Sequence, residues 1–73
     1  MSKHIAETAI AANIDALAAL LRDITSRMDE ATGYVRDGQR NAAIGTIIDL
    51  DRMLADAAAL HGAALALHRN TPA

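Results

Sequence analysis

The sequence specifies an all-α protein, an antiparallel two-helix hairpin expected to pair into a homodimeric four-helix bundle. Three observations carry this expectation. Alanine and leucine dominate, with 18 Ala and 8 Leu among 73 residues, while Val and Tyr occur once each and Phe and Trp are absent; that balance favours helix over strand. Apolar residues recur at alternating steps of three and four in both halves of the chain. A single Asp-Gly break separates the two patterns. The abundance of aliphatics at a net charge of −2 is unlike a disordered tail, and the lack of cysteine excludes a disulfide-stapled scaffold. Residues 1–73 therefore read as one domain, with a helix over about 3–36, a turn over about 37–40 and a helix over about 41–69.

The first helix is predicted by Ile10, Ile14, Leu17, Leu21, Ile24, Met28, Ala31 and Val35, an unbroken three-four seam. Asp15, Arg22 and Asp29 fall on the opposite side of that helix, and Asn13 flanks the seam. Ser2 is the candidate N-cap. Gly33 interrupts the pattern at a cost of about 1 kcal/mol relative to Ala, but the seam continues to Val35.

Asp37-Gly38 marks the turn. Glycine just beyond the last seam residue is free to take the positive φ that a C-terminal cap requires. So short a connection makes the two helices antiparallel neighbours.

The second helix is predicted by the seam Ala43, Ile47, Leu50, Leu54, Ala57, His61, Ala64 and His68, and Asn70-Thr71-Pro72 stops it. Apolar residues also flank this seam on both sides, and charge is confined mostly to a strip holding Asp49, Arg52 and Asp56. A helix apolar over most of its circumference is normally surrounded by neighbours, and one partner covers only part of it. Small cores without disulfides or metals commonly gain stability by oligomerising. The expected self-association interface is Ile44, Ile47, Ile48, Leu50, Leu54, Ala58, His61 and Leu65, with a homodimer first and a tetramer next.

Function is far less legible than shape. Residues 1–36 hold four positive and five negative side chains, and residues 37–73 hold three and four, so neither half is a basic arm or an acidic tail. No segment approaches the roughly 20 apolar residues of a membrane span. The apolar run near the N-terminus is broken by Glu7, Thr8, Asn13 and Asp15, unlike a signal peptide, so a cytoplasmic protein is expected. No His stands three or four residues from Ser2 or Ser26 on the same helix face and there is no Cys, so no nucleophile is evident and an enzyme is not expected. Asp49 and Asp56 share a face with Arg52 between them, the pattern of a solvated, charge-paired strip.

The leading expectation is a non-enzymatic, homo-oligomeric interaction protein (an adaptor, regulatory or accessory subunit) without a cofactor. Tyr34, Arg36 and Arg40 form its candidate recognition patch at the hairpin tip, because Tyr and Arg are enriched at binding hot spots. Two alternatives belong to other classes. The architecture resembles dimeric helical hairpins that bind structured RNA, in shape and not in motif residues; Arg22, Arg27, Arg36 and Arg40 would carry that role against the negative net charge. A metal-binding bundle would use His61 and His68, which lie two turns apart, about 10 Å along the axis, and would need further ligands.

Overall fold

The computed structural model describes residues 2–72 and consists of three helical segments: α1 (Lys3–Arg36), α2 (Arg40–Ile47) and α3 (Leu50–Arg69). The 34 residues of α1 rise about 51 Å at 1.5 Å each, and they set the length of a rod measuring 53 × 15 × 14 Å. Both α2 and α3 pack back along α1. The molecule is an all-helical hairpin whose second arm is bent.

The ends of α1 are closed by local chemistry. The Ser2 hydroxyl accepts the Ile5 N–H at 3.2 Å, satisfying one of the amides that the first turn leaves free. At the other end Gly38 takes φ 74°, the left-handed conformation that disfavours a Cβ. There the Gln39 N–H donates to the Tyr34 carbonyl at 2.8 Å and the Gly38 N–H to the Val35 carbonyl at 3.1 Å. That pair of bonds is a Schellman cap, and it reverses the chain into α2.

The uninterrupted helix expected over 41–69 breaks instead at Ile48 and Asp49. Both residues keep αR dihedrals (φ −60°, ψ −30° and φ −88°, ψ 0°), so the chain kinks without opening into a loop. No proline marks the position. Gly45 lowers helix propensity just before it, and Thr46, Ile47 and Ile48 form a β-branched run that crowds the preceding turn. Thr46 Oγ1 also donates to the Ala42 carbonyl at 2.9 Å, a back-bond that bends helices. The kink follows from the sum of these local effects.

The core is narrow. Ile24, Leu50 and Ala57 are buried together, with Leu17, Leu20, Ile47 and Met53 packed around them. Ala6, Ala31 and Ala43 are the other buried apolar residues. Facing residues on α1 are thus Ile10, Asn13, Leu17, Leu20, Ile24, Ala31 and Tyr34, all buried or half-buried. On the second arm they are Ala43, Ile47, Leu50, Met53, Ala57, Leu60, Ala64 and Leu67.

Those two rows correct both predicted seams in the same way. Ile10, Leu17, Ile24 and Ala31 face inward as expected, but the positions between them are Asn13, Leu20 and Tyr34 in place of Ile14, Leu21 and Val35. Met53, Leu60 and Leu67 likewise take the places expected for Leu54, His61 and His68. A heptad set can be completed at either the third or the fourth residue. On α1 the third-residue set is Asn13, Leu20, Arg27 and Tyr34, and the fourth-residue set is the wholly apolar Ile14, Leu21, Met28 and Val35. On the second arm Met53, Leu60 and Leu67 are the more apolar. Spacing leaves the choice open; one partner helix can cover only one of the two.

Candidate functional site

The completion left over is the most conspicuous feature of the surface. Ile14, Leu21, Met28 and Val35 run along α1 at intervals of seven, between 44% and 62% exposed. Between them lie the small residues Ala11, Ala18, Thr25 and Thr32. On α3 the exposed counterparts are Leu54, Ala58, His61 and Leu65. At 100° per residue, the stripe leads the buried row of its own helix by about 65° on α1 and by about 100° on α3. Because the helices are antiparallel, a lead in the same sense places both stripes on the same side of the rod. They form one two-helix apolar face. None of its residues is Asp, Glu, Lys or Arg, and Asp51 closes its α3 side at the kinked end.

The opposite side is built differently. Asp23, Arg27 and Glu30 on α1 sit at helical spacings of three and four, as do Asp49, Arg52 and Asp56 around the start of α3. Between these charged groups and toward the open end, this side carries mostly alanine, including Ala12, Ala16, Ala19, Ala59 and Ala63. Apart from Ile5, the large exposed aliphatics of α1 and α3 are thus gathered on one side, and the other carries alanine and charge-paired groups.

The predicted interface residues separate on this surface. Ile44, Leu54, Ala58, His61 and Leu65 are exposed, and Ile48 projects at the kink with 65% exposure. Leu50 does not belong with them. It is only 5% exposed and packs with Ile24 and Ala57 in the hairpin's own core, and Ile47 packs against the same cluster. The α1 stripe, by contrast, is an exposed surface that the spacing had assigned to the core. Spacing misplaces it because the third-residue set Asn13, Leu20, Arg27 and Tyr34 is more polar than Ile14, Leu21, Met28 and Val35.

The histidines stand apart. His61 lies on the apolar face, while His68 lines a cleft of about 220 Å³ at the open end of the hairpin with Lys3, Glu7, Ile10, Thr71 and Pro72. Among the described residues, no group of three or more His, Cys, Asp or Glu is placed to hold a metal ion. Nor is any polar or charged side chain buried among them. Asn13 is half-buried in the inward row and donates its amide to the Ala9 carbonyl at 2.8 Å, so its own helix satisfies it.

At the tip, Arg36 and Arg40 are exposed and Tyr34 is half-buried at the end of the inward row. Beside them Gly38, Gln39, Arg40, Asn41 and Ala42 line an open depression of about 430 Å³. Helix α1 is also long and apolar enough, by length and composition, to cross a membrane, and only 6% of its most apolar stretch is buried in the hairpin. Glu7 and Asp15 lie in its N-terminal half. An acidic side chain at the centre of a bilayer costs about 2.5–3.5 kcal/mol. Compared with protein families, with curated proteins and with solved structures, the chain matches none.

Proposed function

We propose that this protein is a non-enzymatic accessory protein that acts by association: it pairs with its own copies into a four-helix bundle and serves a further protein as an adaptor or regulatory subunit. The observation that carries this reading is the two-helix apolar face. Its stripe of large aliphatic side chains from Ile14 to Val35 is edged on α1 by Asp15, Arg22, Asp29 and Arg36. Such a stripe supports this reading, because extended exposed apolar patches mark interaction sites.

Area supports the same reading. The hairpin exposes 5315 Å², whereas a compact monomer of 7.7 kDa exposes about 4,300 Å². The excess of about 1,000 Å² is close to the roughly 800 Å² that each partner contributes to a standard interface. Burying one face of the rod against another removes that excess. The net charge of −2 weighs against nucleic acid as the partner, since binding there draws on a positive field.

Sedimentation across a concentration series tests this. The expected result is a species of about twice 7.7 kDa that dissociates on dilution. A 7.7 kDa monomer at every concentration would overturn the proposal.

A further inference from the structure

The outer edge of the α1 stripe carries four charged residues, and they follow a rule. Asp15, Arg22, Asp29 and Arg36 each stand one residue after a stripe residue, at intervals of seven, and their signs alternate. All four are exposed. None has an opposite charge three or four residues away on its own helix, where Asp15 meets only Ala, Arg22 only Ala, Thr and Ser, and Asp29 only Ser, Thr and Gly. Neighbours within the strip are about 10 Å apart along the axis. Arg27, on the other side of α1, has Asp23 and Glu30 at those spacings. Charges flanking an apolar helical stripe at this position are the ones that choose partner and orientation.

From this pattern we infer that the self-association proposed above is built across α1, with two copies packing antiparallel, stripe against stripe. The reading rests on that proposal and names its geometry. An alternating strip reversed end to end becomes its own complement. Asp15 then faces the partner's Arg36, and Arg22 faces the partner's Asp29. A slip of one heptad sets Asp15 against the partner's Asp29 and Arg22 against the partner's Arg22, which is repulsive throughout. The permitted registers are thus two heptads apart, about 21 Å, so the code rejects the nearest mispairing. The alternating large and small residues of the stripe let the two α1 helices approach closely. A second copy of this chain is the occupant whose charges meet these conditions without further assumption.

Two double variants test the inference. Asp15→Lys with Asp29→Lys makes the strip wholly basic, and Arg22→Glu with Arg36→Glu makes it wholly acidic. Each alone is expected to keep its helical circular dichroism and to associate at least about tenfold more weakly than the parent chain. Mixed in equal amounts, they are expected to form a heterodimer as tight as the parent or tighter. In the cysteine-free background, Arg22→Cys mixed with Asp29→Cys should cross-link in preference to Arg22→Cys with itself. If the parent chain dimerises and both variants do so equally well, or if mixing restores nothing, the α1 pairing is overturned while self-association stands. A monomeric parent chain overturns the earlier proposal itself.

Discussion

Leu50 and Leu54 show how four positions decide the role of a side chain. Both belong to one predicted seam, yet Leu50 is 5% exposed in the hairpin core and Leu54 is 53% exposed on the apolar face. Truncating a buried leucine removes transfer free energy and leaves a cavity, so Leu50→Ala is expected to cost about 2–5 kcal/mol in urea denaturation. Leu54→Ala should preserve the hairpin and weaken association, seen as a shift of the sedimentation midpoint to higher concentration. If the two substitutions destabilise the isolated hairpin equally, the assignment of inward and outward rows is wrong. Asn13 teaches a related lesson. A polar residue can occupy the inward row because its amide bonds to the Ala9 carbonyl one turn back, which pattern counting does not register.

Among the elements, the turn was legible and the kink was not. Gly38 was readable because a backbone needing positive φ has essentially one good residue, and its φ of 74° is that conformation. Gly38→Ala is expected to cost about 1–2 kcal/mol in thermal or urea unfolding, although no atom beyond its two chain neighbours lies within 4 Å of the position a Cβ would take. The penalty is conformational, so a neutral result would show that the cap had rearranged. The break at Ile48 and Asp49 carries no such signature. It arises from several weak effects over Gly45 to Ile48, each within the range that helices tolerate elsewhere. Thr8 and Thr32 make the same back-bond as Thr46, and α1 continues through both.

For the molecule as a whole, the governing quantity is the ratio of surface to interior. A rod two helices thick has little interior: among the described residues only Ala6 is fully enclosed, and the largest buried residues are Ile24 and Leu50. Stability of such a chain is expected to be tied to its concentration, because an assembly that buries the apolar face adds to the folding free energy by mass action. Raising the concentration a hundredfold should therefore raise the melting temperature by several degrees. A melting temperature independent of concentration would mean that the hairpin stands alone.

Composition and period settled the class of this protein, the place of its turn and the presence of two helices, because helix propensity, a three-four repeat and a left-handed glycine act locally. The i, i+7 set Ile10, Leu17, Ile24 and Ala31 was equally plain, since it faces inward under either heptad completion. Only the packed structure chose between the third and the fourth residue as the other half of each seam. That choice turned Ile14, Leu21, Met28, Val35 and Leu54 outward and brought Leu20, Met53, Leu60 and Leu67 in. It depends on how two whole helices rotate against one another, a property no single segment contains.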